Sequence, residues 1–397
     1  MAEQIPIYMD NMATTPVDPR VLQVMLPHFG PSFGNPSSKT HAFGLTAADA
    51  VGKARDQVAE LIGARSREII FTAGATEANN LALKGVVERA EAGSHIITST
   101  IEHKAVLDCC QTLEERGTEV TYLPVNADGL IDLNALSAAI TDRTVLISLM
   151  AANNEIGVLQ PLVEIGRLAK ARGVLWHCDA AQAVGKIPLD VEALGIDMLS
   201  VSGHKLYAPK GVGFLYVRSR NPRVRLRAQI EGGGQEYGLR AGTLNVPGIV
   251  GLGAACQLAQ EEMVGEAVQL LGMRRRLLHG LETRLGSLAV NGDRDARLPG
   301  NLNVSFPGTD GAELLLGLRD IALSSGAACS SKEEVSSHVL RAIGLCDDLA
   351  RSSLRFGLGR FNTMGEVEYA IDRVVAEVER LDSGSAAAVK AQELTAH

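Results

Sequence analysis

Between residues 60 and 220, short apolar runs alternate with amphipathic stretches. The runs Glu68–Thr72, His95–Ser99, Glu119–Leu123, Val145–Met150, Val174–Asp179, Met198–Ser202 and Val212–Val217 have the length and composition of strands. Thr76–Arg89, Lys104–Arg116, Leu133–Ile140 and Pro161–Arg172, which lie between them, pattern as helices. This alternation predicts an α/β fold with a largely parallel sheet covered on both faces. Ligands in such sheets gather at the carboxyl ends of the strands. Asp179, Ser202 and Lys205 fall there, as does the turn Asn153-Asn154-Glu155.

Near Glu261 the pattern changes. Residues 261–285 read as one helix with Val264, Leu271, Leu278 and Leu285 at heptad spacing and Arg274-Arg275-Arg276 on its solvated face. A strand (Asn301–Phe306), a helix (Ala312–Arg319), a short strand entering a Ser/Gly/Ala loop (Ile321–Ser331) and a helix (Val335–Ile343) follow. A strand (Ser353–Gly357) and a last helix (Met364–Leu381) complete an α+β unit. The expected division is a large domain over 15–260 and a small one from 1–14 and 261–381, with 382–397 as a disordered tail.

At 397 residues the chain is too long for one small core, which agrees with two domains. A net charge of −8 gives no reason to expect nucleic acid or an anionic membrane as the main ligand. The start, Met1-Ala-Glu-Gln, carries an acid and no long apolar core, so no signal peptide is expected. The uncharged stretch Thr243–Gln260 holds Asn245, Pro247, glycines and glutamines, and it reads as a buried loop and helix rather than a membrane span. Six cysteines lack paired spacing, which points to reduced thiols in a cytoplasmic-type compartment.

Several residues carry candidate chemistry. Asp179 ends one apolar strand, and His204-Lys205 ends the next, 26 residues beyond. Pyridoxal phosphate (PLP) needs such a pair: an amine to form a Schiff base and an acid to keep its ring nitrogen protonated. Alone, Ser202-Gly-His-Lys is also a plain surface turn. Thr76, after Phe71-Thr72-Ala73-Gly74-Ala75, opens a helix whose free N–H groups and dipole favour a phosphate; it is equally an ordinary helix cap. His103 could stack on a ring and move protons near neutral pH, or simply start its helix. Cys329, among small residues, suits a reactive thiol on a mobile loop, or else a bystander surface cysteine. Arg355, a lone cation in an apolar strand, needs an anion, either a substrate carboxylate or an internal acid.

Ten short runs in order extend this reading. They are Tyr8-Met-Asp-Asn-Met-Ala-Thr-Thr-Pro, Gly34-Asn-Pro-Ser-Ser, Gly74-Ala-Thr-Glu, Glu102-His-Lys-Ala-Val, Asn153-Asn-Glu-Ile-Gly, Asp179-Ala-Ala-Gln, Ser202-Gly-His-Lys, Arg240-Ala-Gly-Thr, Ser324-Ser-Gly-Ala-Ala-Cys and Arg355-Phe-Gly-Leu-Gly-Arg. From about Tyr8 to about Leu381 the chain resembles the group I, NifS/IscS-like cysteine desulfurases of the fold-type I PLP enzymes. The resemblance implies a large domain with a mainly parallel seven-stranded sheet beside a smaller α+β domain.

It also implies roles. Lys205 would form the Schiff base and act as base on the substrate α-carbon. Asp179 would pair with the ring nitrogen, Gln182 would bond the ring oxygen, and His103 would stack on the ring as acid and base. Ala75, Thr76, Ser202 and His204 would bind the phosphate, with Thr243 reaching it from the other subunit of a homodimer. Asn154 and Arg355 would take the substrate carboxylate, with Asn154 also near the ring oxygen of the cofactor. The implied reaction turns L-cysteine into L-alanine and leaves the sulfur on Cys329 as a persulfide, for iron–sulfur cluster assembly and for tRNA or cofactor thiolation. Sulfur acceptors, among them an iron–sulfur scaffold protein, are the implied partners; no resident metal is. A β-lyase, selenocysteine lyase or aminotransferase on the same fold is the alternative. The chain departs from the usual pattern at Ala327, at Tyr237, over Lys332-Glu-Glu-Val-Ser-Ser, and at the tail Gln392-Glu-Leu-Thr-Ala-His.

Overall fold

A computed structural model describes residues 6–325 and 336–395, with side chains as far as residue 383. The strands are β1 (Ile7–Tyr8), β2 (Ile69–Thr72), β3 (His95–Ser99), β4 (Glu119–Leu123), β5 (Thr144–Ser148), β6 (Leu175–Asp179), β7 (Met198–Ser202), β8 (Gly213–Val217), β9 (Ala289–Val290), β10 (Asn301–Ser305), β11 (Ile321–Ala322), β12 (Ser324–Ser325) and β13 (Ser353–Gly357). The helices are α1 (Pro19–Met25), α2 (Ala42–Leu61), α3 (Ala75–Val87), α4 (Lys104–Glu114), α5 (Leu133–Ala139), α6 (Leu162–Arg172), α7 (Val191–Leu194), α8 (Val246–Leu285), α9 (Gly311–Gly317), α10 (His338–Ala342), α11 (Asp347–Arg351) and α12 (Met364–Thr395).

Seven strands form one sheet in the order β2-β8-β7-β6-β5-β3-β4. Only β8 runs against its neighbours; every other pair is parallel. The link from β7 to β8 explains this, because Gly203–Val212 holds one 3-10 turn and no helix to carry the chain back across the sheet. Successive side chains serve opposite faces. Ile69 and Phe71 join the core containing Trp176, Phe214 and Leu252, whereas Ile70 joins the one containing Leu83, Val106 and Leu215. Both faces are therefore buried, which is why the strands read as unbroken apolar runs.

A second, smaller sheet of order β12-β13-β10-β9 is antiparallel. Its own core holds Leu277, Leu281, Phe306, Phe356 and Val374. The N-terminal strap connects the two units: Met9 is buried in the small core, Met12 in the large one, and β1 pairs with β11.

Several expectations change here. The expected boundary at 260/261 falls inside α8, a single helix of 40 residues that Asn245 caps and Pro247 starts. Within α8 the buried stripe is Leu270, Met273, Leu277 and Leu281, while Val264 is 70% exposed. The buried stripe lies one residue, a rotation of about 100°, from the expected heptad, of which Leu278 and Leu285 are partly buried against the small core. Arg274 is consequently buried rather than solvated, donating to the Leu298 carbonyl at 3.1 Å. The expected tail also differs: α12 continues to Thr395, through an Ala-rich stretch with high helix propensity. Part of the helix expected from Val335, and all of the loop around Cys329, lie outside the described residues.

Candidate active site

Four strand ends converge on one cavity of about 860 Å³, a size typical of small-molecule sites. Asp179 closes β6, Ser202 closes β7, and a 3-10 turn at Gly203–Lys205 carries His204 and Lys205 into the lining. The β2–α3 turn contributes Gly74, Ala75 and Thr76; His103 comes from the start of α4, and Ala152 and Asn154 follow β5. Gln182 and, from the small sheet, Arg355 complete the wall. The β2–α3 turn can lie this close because residue 213 is glycine: a Cβ there would stand 2.3 Å from the Val201 carbonyl oxygen and 2.7 Å from Gly74 Cα.

Lys205 donates to the carbonyls of Met12 at 2.6 Å and Ala13 at 2.7 Å. Burial, and then the Arg355 charge, push its amine down to about 8. A useful fraction is therefore neutral and nucleophilic near neutral pH. Burial together with Lys205 and Lys210 holds His204 down at about 4, so it stands neutral, its Nδ1 3.0 Å from Thr14 Oγ1. Asp179 is buried and accepts from Asn79 Nδ2 at 2.7 Å and from the Ala181 N–H at 3.0 Å.

The alternatives left open by the sequence now separate. Gly74, not Thr76, caps α3, so Thr76 lies in the first helical turn, exposed at the cavity wall. His103 does cap α4, its Nδ1 accepting from the Ala105 N–H at 3.1 Å, and it also lines the cavity. Arg355 has an internal acid, Asp10 at 2.7 Å, and donates to the Asn154 carbonyl at 2.9 Å and Ser324 Oγ at 2.8 Å. Its Nε is nonetheless buried without a hydrogen-bond partner among the described residues. Thr243 is exposed and outside the cavity wall of its own chain. Cys329 lies outside the described residues.

Sequence reasoning missed Asn79, Asp10, Lys210 and the carbonyls of Met12 and Ala13. Asn79 left one signal, a polar residue on the apolar face of α3 beside Ala78 and Ala82. Main-chain carbonyls leave none.

The class-V aminotransferase pattern ("Aminotransferase class-V") matches residues 7–370, and the chain belongs to that family of PLP-dependent enzymes. Within it, the chain is 55% identical over 379 residues to the cysteine desulfurase IscS of Anaeromyxobacter dehalogenans (strain 2CP-C), covering 95% of this chain and 94% of that one. The cysteine desulfurase IscS of Rickettsia rickettsii (strain Iowa) is 51% identical, with 95% and 92% covered. Among solved structures, a NifS-like protein superposes with a TM-score of 0.88 at 39% identity, covering 95% of this chain and 100% of that one. SspA in complex with cysteine gives 0.80 at 40% identity, covering 90% and 100%.

The cavity fits PLP on its own chemistry. It offers an amine of lowered basicity, a buried carboxylate and the first turn of a 13-residue helix, whose amides have no partner inside the helix. The unspent Arg355 Nε is a further donor for an anion.

Proposed function

We propose that the chain is a cysteine desulfurase that converts L-cysteine to L-alanine and takes the sulfur onto Cys329. Bound PLP supplies an electron sink for the charge left when an amino acid loses its α-proton. Lys205 holds the cofactor and then, as a free amine, removes that proton. Asp179, oriented by Asn79 and the Ala181 amide, keeps a proton on the ring nitrogen. Ala75, Thr76, Ser202 and neutral His204 take the phosphate, and Gln182 takes the ring oxygen. His103, on the cavity wall, would stack on the ring and pass protons. Asn154 and Arg355 take the substrate carboxylate, which competes with Asp10 for the guanidinium. The Cys329 thiolate attacks the substrate sulfur; an S–S bond forms, the C–S bond breaks with its electrons left on carbon, and a proton on that carbon completes alanine.

One observation carries this reading: lysine, buried carboxylate and helix N-terminus share one cavity, and the described residues on either side of the Cys329 segment bond to a lining residue or to the neighbour of one. Before the segment, Ser324 bonds Arg355. After it, His338 Nε2 lies 3.0 Å from the carbonyl of Glu102, next to His103. The test is to treat the protein with L-cysteine, quantify alanine and weigh residue 329. Cys329→Ser should keep the PLP colour but lose the persulfide and alanine release. Undiminished turnover would instead favour a β-lyase, a selenocysteine lyase or an aminotransferase.

A homodimer completes the reading. Exposed Leu26, Phe29, Phe33, Phe43 and Leu45 give an apolar surface of the kind subunits cover, with the Phe33 and Phe43 rings 5.3 Å apart. Thr243 would serve the partner's phosphate site. We place the protein in the cytoplasm, delivering sulfur to acceptor proteins that include an iron–sulfur scaffold. None of the helices among the described residues is long and apolar enough to cross a membrane.

A further inference from the structure

Behind the cavity wall, the amide of Gln182 is held at both ends. Its Oε1 accepts from Lys186 Nζ at 2.9 Å, and its Nε2 donates to the Met12 carbonyl at 2.8 Å. An amide can flip end for end at almost no steric cost, so only its partners decide which atom faces where. Here each partner favours one orientation. A carbonyl can only accept, which puts nitrogen towards Met12; an ammonium can only donate, which puts oxygen towards Lys186. The nitrogen keeps one hydrogen unspent, on a residue that lines the cavity. The Met12 carbonyl is shared, since Lys205 Nζ also donates to it at 2.6 Å.

The Lys186 amine meets Gln182 and, at 3.8 Å, Met12 Sδ. The void on its far side, beside Tyr207, Glu266 and Leu270, measures about 20 Å³, room for one water and no ligand. Burial, Lys205 and Arg355 pull the amine down to about 7, while Glu266 opposes them. Either protonation state can still donate an N–H to Oε1.

We propose that Lys186 is a positioning residue: it fixes the Gln182 amide so that Gln182 presents an N–H, never its oxygen, to the oxygen on the cofactor ring. This rests on reading the cavity as the PLP site. An N–H donor stabilises negative charge on that oxygen and so lets the bound cofactor shed its proton at lower pH. Without the Lys186 donor only the Met12 carbonyl, which Lys205 shares, still orders the amide; the N–H is then held less firmly and that midpoint rises.

The test is a pH titration of the visible absorption of the PLP-loaded protein. Lys186→Met should move the midpoint up by about one pH unit, the scale of one hydrogen bond to a charged group. Lys186→Arg, which keeps a donor, should restore it. Gln182→Ala should give the same upward shift, and adding Lys186→Met to it should give no more. If Lys186→Met fails to fold, Lys186→Ala tests the same donor. No shift, or a full shift that persists in the Gln182→Ala background, overturns the proposal while the PLP site stands. Failure of the wild-type protein to bind PLP through Lys205 would sink the reading beneath it.

Discussion

The carboxyl ends of the large sheet and the middle of the small sheet both bury polar side chains, but they do so in opposite ways. In the small sheet, Asn291 Nδ2 meets Asn303 Oδ1 at 2.8 Å, Ser305 Oγ at 2.9 Å and Ser353 Oγ at 3.1 Å, and the two serines bond each other at 2.7 Å. Each of these four groups satisfies the next. Around Lys205 the polar groups are left with capacity to spare: an amine on two carbonyls, a helix start with free amides, an arginine with an idle Nε. Closed polar networks hold a fold together, whereas open ones wait for a ligand.

The largest contrast is expected at Lys205. Lys205→Ala should lower turnover at least about 1,000-fold, as loss of both nucleophile and base demands. It should also abolish the covalent PLP absorption. Thermal stability of the PLP-free protein should not fall, because a desolvated amine with lowered pKa costs stability below its unfolded value. A clear drop in melting temperature would show that this amine belongs to the structural class and would weaken the comparison.

Arg355 joins both regions, its backbone in β13 and its guanidinium at the cavity. Arg355→Lys keeps the charge but loses the planar fork. KM for L-cysteine should rise about 10- to 100-fold, with the PLP colour retained, since each lost charge-assisted bond is worth about 1.5–3 kcal/mol. An unchanged KM would mean that Asp10 never yields the guanidinium to a substrate.

A smaller effect follows from the Lys205 amine at about 8. Only the neutral amine attacks the PLP aldehyde, so uptake by the PLP-free protein should quicken with pH. The expected gain is about tenfold between pH 7 and 9, levelling above that. Stopped-flow absorbance measures it. A rate still climbing steeply at pH 10 would indicate an ordinary lysine, and the cavity's electrostatics would then need another account.

The two regions also differ in how far the sequence revealed them. The strands of the large sheet were legible because burial on both faces leaves unbroken apolar runs, and because Asp179 and Lys205 close two of them. The phase of α8 was not. Val264, Leu271 and Leu278 make one plausible stripe and Leu270, Leu277 and Leu281 another, and only packing against the small sheet chooses between them. Nor could Arg355 be assigned in advance: whether a buried cation finds Asp10 or a substrate depends on a contact 345 residues apart. The Met12 carbonyl, which receives both Lys205 and Gln182, carries no side-chain mark at all.

The smallest expected effect lies in the closed network. Ser305 Oγ donates to Asn291 Oδ1 at 3.1 Å and faces Ser353 Oγ. Ser305→Ala should cost about 1–3 kcal/mol of stability in chemical denaturation: Asn291 Nδ2 retains Asn303 and Ser353, but the buried Asn291 Oδ1 loses its donor. KM, turnover and the PLP spectrum should match the parent. If instead KM for L-cysteine moved with this residue, the polar groups of β10 and β13 would be coupled through Arg355 to the cavity, and the division between closed and open networks would not hold at that strand.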